Sequence, residues 1–103
     1  MIDSSDAETA LEFLRESAAP YGRLVEQARL RESKIKHVKA LLMKKWNEST
    51  IGAQEREAMA SKEYLDCLIE DAQAAGELER VKAERKHAEI TVSLYQTKVR
   101  ERL

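Results

Sequence analysis

Apolar residues recur at alternating intervals of three and four along the middle of the chain, which is the spacing of a coiled-coil seam. The run has six apolar or aromatic residues and one arginine: Tyr21, Leu24, Ala28, Arg31, Ile35, Val38 and Leu42. Further apolar residues follow at Leu41, Met43 and Trp46. The pattern predicts a helix over 21–46 that packs along a second helix.

The N-terminal segment carries a shorter version of the same pattern. It contains apolar residues at helical spacing: Ala7, Ala10, Leu11 and Leu14. Ser5 precedes Glu8 by the three residues of a capping box, so a helix is predicted over 5–18. Pro20 removes a backbone donor and disfavours helical geometry in the residue before it. We therefore expect a break or kink between this helix and the next.

The C-terminal half is predicted to contain one long helix. The segment 47–52 has the composition of a turn, and a short helix over 53–60 follows it. Ser61 is the expected N-cap of a helix over 62–102. Its predicted seam contains a three-plus-three step beside Gly76 and consists of Leu65, Leu68, Ala72, Ala75, Leu78, Val81, Arg85, Ala88, Val92, Tyr95 and Val99.

These elements predict an all-α fold. The segments 5–46 and 62–102 have nearly equal length, which suits the two arms of an elongated antiparallel helical hairpin, or coiled coil. The first arm is expected to be kinked, giving three main helices. At 103 residues the chain is expected to form a single helical domain spanning 1–103.

The distribution of charge favours antiparallel pairing. Residues 29–47 carry seven Lys or Arg against one Glu, and residues 48–79 carry nine acidic residues against two basic ones. Residues 1–16 are acidic, whereas residues 80–102 are basic. An antiparallel hairpin places each basic segment opposite an acidic one.

Two arginines occupy seam positions, where polar residues commonly specify register. The equal-arm hairpin places Arg31 near Glu77 and Glu79, and it places Arg85 near Glu26. We interpret both arginines as register-setting residues.

Composition and motifs argue against catalysis. Only 5% of the residues are aromatic and three are glycine, while 36% are charged, which is typical of a helical protein. Gly-rich phosphate loops, nucleophile elbows and zinc-protease motifs are missing from the sequence. His37 and His87 fall in different helices, and Cys67 is expected to be a buried apolar residue. We expect no enzymatic activity, no cofactor, no metal and no small-molecule substrate.

One basic cluster has the composition of a nucleic-acid contact. It ends in an aromatic residue and comprises Lys34, Lys36, Lys39, Lys44, Lys45 and Trp46. Such a helix suits a phosphate backbone and an unpaired base. Pairing with the acidic helix of the same chain is the favoured interpretation, and it leaves Lys44 and Lys45 as the residues expected to be free.

The chain has more apolar residues than one helix–helix seam buries. The excess includes Phe13, Met43, Trp46, Leu94 and Tyr95. We therefore expect a homodimer or docking on another protein.

The sequence contains neither the basic-then-apolar pattern of a signal peptide near Met1 nor an apolar run long enough to span a membrane. A cytoplasmic protein without membrane attachment is expected.

The segment 54–64 reads Gln-Glu-Arg-Glu-Ala-Met-Ala-Ser-Lys-Glu-Tyr and precedes a long helix rich in Glu, Ala, Leu and Arg. Over about residues 40–100 the chain resembles small uncharacterised α-helical proteins of tailed bacteriophages and prophages. The resemblance implies a phage or prophage origin, in some cases with the gene near recombination or early genes. A phage-encoded protein of this kind is expected in the cytoplasm of the host cell. The resemblance implies no catalytic residue.

Two functions follow from these features. The first is a non-catalytic inhibitor or adaptor that binds a host or phage protein, from DNA-processing or defence machinery, through a helix face. The alternative is a DNA-binding accessory protein of phage recombination or replication that uses the basic helix. A purely structural coiled-coil component is a third hypothesis.

Overall fold

The computed structural model describes residues 2–47 and 49–102, and all regular secondary structure within these residues is helical. The helices are α1 (Ser4–Lys44), α2 (Ile51–Met59) and α3 (Lys62–Arg102). The all-α fold class is therefore confirmed. The range of α3 is the predicted one, whereas α1 ends two residues before Trp46 and α2 begins two residues before the predicted residue 53. Within the predicted turn 47–52, Glu48 lies outside the described residues.

Side-chain caps define the starts of all three helices. Asp3 and Asp6 form a reciprocal capping box at α1: the Asp6 amide donates to Asp3 Oδ1 at 2.9 Å, and the Asp3 amide donates to Asp6 Oδ2 at 3.0 Å. The predicted Ser5–Glu8 box is therefore wrong. Thr50 caps α2 by accepting from the Ala53 amide, and Ser61 caps α3 as predicted, by accepting from the Tyr64 amide.

Of the break or kink predicted at Pro20, a break is excluded, because α1 continues through this residue. The proline ring is exposed, and both flanking seam positions, Ser17 and Tyr21, are half-buried. One missing backbone donor costs the helix a single hydrogen bond at Glu16. Packing along the full length of α1 outweighs that local cost.

The chain packs as two compact units. The terminal unit contains the residues up to Leu24 together with those from Leu78 onward, and the turn unit is Val25–Glu77. In the terminal unit Lys98 Nζ donates to the Ile2 carbonyl at 2.9 Å. In the turn unit Arg31 donates to Glu70. Within the terminal unit Arg85 also donates to the Leu14 carbonyl at 2.9 Å, so a later residue of α1 pairs with an earlier residue of α3, as antiparallel packing requires.

The seam of α1 follows one heptad frame. Its buried and half-buried positions are Ala7, Ala10, Leu14, Ser17, Tyr21, Leu24, Ala28, Arg31, Ile35, Val38 and Leu42. The run predicted over 21–42 is confirmed, and it extends to Ala7 without a change of frame. Leu11, which was predicted to belong to the stripe, is 48% exposed.

The first half of the α3 seam differs from the prediction by one residue. The positions that face α1 are Tyr64, Cys67, Asp71, Ala74, Leu78, Val81, Arg85, Ala88, Val92 and Tyr95. The predicted seam residues Leu65, Leu68, Ala72 and Ala75 are all exposed. The spacing therefore alternates between three and four throughout, and the predicted three-plus-three step beside Gly76 is wrong.

The pairing register of the helices is about two turns from the predicted one. Arg31 contacts Glu70 rather than Glu77 or Glu79, and Arg85 contacts Leu14 and Ser17 rather than Glu26. The short helix α2 explains the shift. It folds against the end of α1, where Lys39 donates to Glu55 at 2.7 Å, and so returns the chain along α1 before α3 begins.

Candidate protein-interaction surface

A cluster of apolar residues lies on the part of α3 that belongs to the turn unit, on the side away from the seam. Because an α-helix has 3.6 residues per turn, these positions share one side of the helix. We call this cluster the proximal patch; it consists of Leu65, Leu68, Ile69, Ala72, Ala75 and Gly76. Together with the seam, it makes this part of α3 apolar on two sides.

The three large side chains of the proximal patch are open to solvent in the single chain. Leu65 is 53% exposed, Leu68 40% and Ile69 47%. A Cβ atom added at Gly76 would meet no atom within 4 Å. Isolated exposed leucines are ordinary on protein surfaces, whereas a contiguous apolar cluster commonly marks an interaction site.

The segment of α3 that contains the proximal patch is rich in acidic residues. Between Lys62 and Glu77 the helix carries Lys62 as its one base and five acidic residues: Glu63, Asp66, Glu70, Asp71 and Glu77. Glu70 is engaged across the seam, since Arg31 and Lys34 both contact its Oε2. Asp71 lies in the seam, whereas Glu63, Asp66 and Glu77 lie toward the opposite side of the helix from Leu68 and Ala72.

Three of the predicted site and register residues take part in ion pairs within the turn unit. Arg31 and Lys34 share Glu70, with Lys34 at 3.3 Å, and Lys39 Nζ lies 2.7 Å from Glu55 Oε1. The hydrogen bond from Lys39 lowers the pKa of the Glu55 carboxyl below its ordinary value, and the same bond raises the pKa of Lys39. Intramolecular pairing therefore uses part of the basic cluster.

The other members of the basic cluster are exposed. Lys36, Lys44 and Lys45 make no ion pair with a described residue, and Trp46 is 47% exposed. Trp46 and Lys45 line a shallow depression with Leu42, Ala60 and Ser61. The turn unit as a whole is close to neutral, with nine Lys or Arg and ten Asp or Glu.

Arg85 lies in the seam of the terminal unit. Its guanidinium donates to the Leu14 carbonyl at 2.9 Å and to Ser17 Oγ, and it lies 5.3 Å from the centre of the Tyr21 ring. The arginine thus ties α3 to successive turns of α1. This geometry suits the predicted role in register, with different partners from those predicted.

The terminal unit has an open groove of about 740 Å³. Its apolar floor includes Ile2, Ala10, Phe13 and Ala88, with polar residues at the edges. His87 lies at one edge.

Residues suited to chemistry are scattered. Cys67 is buried in the seam, while His37 and His87 are exposed in different units. Among the described residues no three His, Cys, Asp or Glu side chains come close enough to hold a metal ion. None of the helices in residues 2–47 and 49–102 combines the length and apolarity needed to cross a membrane.

Comparison with protein-family models, curated proteins and solved structures found no match.

Four residues of the proximal patch, Leu65, Leu68, Ala72 and Ala75, were predicted to lie in the seam, and Ile69 was not singled out. The two apolar stripes of α3 run one residue apart, so both satisfy three-and-four spacing. The presence of both stripes was a detectable signal, because Tyr64, Cys67 and Ala74 form a second series beside Leu65, Leu68 and Ala75.

Proposed function

We propose that this chain is a non-catalytic interaction protein, an adaptor or inhibitor, that binds another protein through the proximal patch of α3. The observation that carries the proposal is the exposure of Leu65, Leu68 and Ile69 together on one side of a helix. Fully burying such a side chain contributes about 1.5–3 kcal/mol, and about half of each of the three remains to be covered by a partner. A partner that covers the patch therefore gains substantial free energy.

The composition of the patch favours a protein partner over a nucleic acid. Its apolar residues suit the apolar stripe of a partner helix, and the five acidic residues from Lys62 to Glu77 would repel a phosphate backbone. The preferred partner surface is an apolar helix face. The resemblance to phage proteins adds the expectation that the partner belongs to the phage or to its host and that binding occurs in the cytoplasm.

Photo-crosslinking in cells that express the full chain tests this proposal. A photoreactive phenylalanine derivative replaces Leu65 in one variant and Leu30 in a matched control. Leu30 is a comparably exposed leucine on α1, at 61%, and it lies outside the patch. Adducts are identified by mass spectrometry, and the identified protein is then purified and its affinity for the chain is measured.

The proposal predicts an adduct with one identified protein from position 65 and not from position 30. It also predicts that Leu65→Glu weakens binding of that protein at least about tenfold, while Leu30→Glu has little effect. Equal adducts from both positions, or no adduct from position 65, would contradict the proposal.

DNA binding is the second candidate, supported by the exposure of Lys44, Lys45 and Trp46 beside one another in sequence. Fluorescence anisotropy with labelled single- and double-stranded DNA at low and physiological salt distinguishes it. Steeply salt-dependent binding that disappears in Lys44→Glu/Lys45→Glu would favour this candidate. Binding that is equally lost in Lys82→Glu/Lys86→Glu, the matched control on α3, would reflect general charge and count against it.

A further inference from the structure

We infer that the open groove of the terminal unit is a second binding site, which takes an amphipathic helix of another protein with Lys or Arg residues beside its apolar stripe. The site shares no residue with the proximal patch, which belongs to the turn unit. The inference follows from the shape of the groove, from its apolar floor and from the carboxylates next to it.

The groove lies between the two helices of the terminal unit. Its α1 wall reaches from Asp6 to Phe13, and its α3 wall reaches from Ala83 to Thr91. At 1.5 Å per residue each wall is about 10–12 Å long, which is about two helical turns. A pair of antiparallel helices offers a third helix a groove in which it packs against both, at an interaxial distance of about 8–10 Å. The groove therefore has the shape of a seat for a third helix.

The floor of the groove is apolar and has small residues at its base. Ala10 and Ala88 are buried there, whereas Ile2 and Phe13 are half-buried and Ala83 is exposed at the α3 wall. The alanines leave about 740 Å³ open. Large aliphatic side chains at intervals of three and four residues on a partner helix suit such a space. Docking of that helix would also cover the exposed parts of Ile2 and Phe13.

A second, acidic depression adjoins the groove on α1. It is lined by Glu8, Thr9, Glu12, Phe13 and Glu16. Thr9 and Phe13 line both depressions, so three carboxylates lie next to the apolar floor. Glu12 contacts Arg15 at 3.8 Å, whereas Glu8 and Glu16 make no ion pair with a described residue. The α1 side of the groove is therefore negatively charged.

This charge determines the kind of helix that fits. A Lys or Arg beside the apolar stripe of the partner reaches the carboxylates of α1, and a cation there also lies close to the Phe13 ring. On the α3 side Glu84 is already paired with Arg80 at 2.7 Å. An acidic helix or a phosphate backbone would meet like charge on α1. The fitting partner is therefore a basic amphipathic helix whose cations face α1.

Nuclear magnetic resonance of the isotope-labelled full chain tests this site with a synthetic peptide as the probe. The peptide has about 18 residues, which is long enough to form a helix. It carries leucines at three-and-four spacing and lysines at the remaining positions. One matched peptide has glutamates in place of the lysines, and another has the same composition in an order without an apolar stripe. Amide shifts locate the bound peptide, and their titration gives its Kd.

We expect the largest amide shifts at groove residues such as Thr9, Phe13, Ala83 and Thr91. Each matched peptide should bind at least about tenfold more weakly than the probe. Ala83→Lys, which places a long cation in the groove, should weaken binding of the probe at least about tenfold. Ala40→Lys makes the same change at an exposed position of α1 in the turn unit and should have little effect.

A second pair of variants tests the acidic depression without adding bulk. Glu12→Gln/Glu16→Gln should weaken binding of the probe about three- to tenfold, because it removes two of the three carboxylates. Glu26→Gln/Glu32→Gln is the matched control, since both residues are exposed on α1 in the turn unit. Equal effects of the two double variants would show that only the net charge matters and would overturn the assigned site.

Other outcomes would also overturn the inference. These are a probe that does not bind at high micromolar concentration, largest shifts outside the groove, or equal binding of the peptide without a stripe. Sedimentation equilibrium of the chain without peptide identifies a different occupant. A dimer that Ala83→Lys dissociates would assign the groove to a second copy of the chain and overturn the inference.

Discussion

The guanidinium of Arg85 on α3 donates a hydrogen bond to the backbone carbonyl of Leu14 on α1 at 2.9 Å. It also donates to Ser17 Oγ and lies over the ring of Tyr21. We expect Arg85→Ala to lower the free energy of unfolding by about 2 kcal/mol, because it removes these contacts together. Urea unfolding followed by circular dichroism measures the change.

Lys86→Ala is the matched control for Arg85→Ala, since Lys86 is an exposed neighbour on the same helix. It should alter stability by less than about 0.5 kcal/mol. Equal effects of the two substitutions would show that the seam arginine does not hold the terminal unit in register.

Replacement of Pro20 by alanine should stabilise the chain. Pro20 lies inside α1 and leaves the Glu16 carbonyl without its helical donor. Alanine restores that donor and has the highest helix propensity, so we expect a gain of about 1–3 kcal/mol in urea unfolding. Pro20→Gly should gain about 1 kcal/mol less. An unchanged or lower stability in Pro20→Ala would indicate that α1 is interrupted here.

The Lys39–Glu55 pair predicts a specific dependence of stability on pH. The bond to Lys39 lowers the pKa of Glu55 in the folded chain. Its stabilising contribution is therefore present above the ordinary pKa, about 4.3 for Glu, and is lost as the pH falls through the lowered value. The pKa of Lys39 is raised in the folded chain. Its contribution to stability is therefore lost only when the pH rises into the alkaline range.

Urea midpoints measured between neutral and acid pH test this dependence. As the pH is lowered, the urea midpoint of Glu55→Gln should fall less steeply than that of the wild type, because the variant has no carboxylate to protonate at this position. Lys39→Met should give a similar dependence of the urea midpoint on pH. The double variant should be little less stable than either single variant. A Glu55→Gln chain with the wild-type acid slope would refute the coupling between these residues.

Substitution in the middle of the α1 seam should be costly. Ile35 is half-buried at a seam position, whereas Leu30 on the same helix is 61% exposed. We expect Ile35→Asp to lose at least about 2 kcal/mol of stability, since it removes apolar packing and places a charge in the seam. Leu30→Asp should cost less than about 1 kcal/mol. A larger loss of stability from Leu30→Asp than from Ile35→Asp would contradict the assignment of Ile35 to the α1 seam.

The α1 seam from Tyr21 to Leu42 was predictable from sequence because Arg31 is its one polar position. In α3 the true seam includes Asp71, whereas the exposed stripe at the same level contains Ala72. Hydrophobicity alone therefore favours the wrong frame. Tertiary packing decides between the two stripes, because the seam is the side of α3 that packs against α1. An exposed apolar side that binds a partner has the same three-and-four spacing in the sequence, so the sequence does not distinguish the two.

Local rules also failed where long-range packing dominates. The geometry of Pro20 favours a break, yet the continuous seam of α1 outweighs it. The general pairing of Lys34 and Lys39 with acidic residues followed from charge segregation. Their individual partners, Glu70 and Glu55, depend on how α2 folds against α1, and the sequence does not specify that position.

The rate of thiol labelling at two neighbouring positions of α3 tests most directly whether this helix has a free second apolar face. Native Cys67 lies in the seam, and Ile69→Cys in a Cys67→Ala background places a thiol in the proximal patch. At submicromolar protein, Ile69→Cys should react at least about tenfold faster than Cys67, which must wait for local opening. Faster labelling of Cys67 than of Ile69→Cys in dilute solution would place the patch in the seam and contradict the proposed binding face.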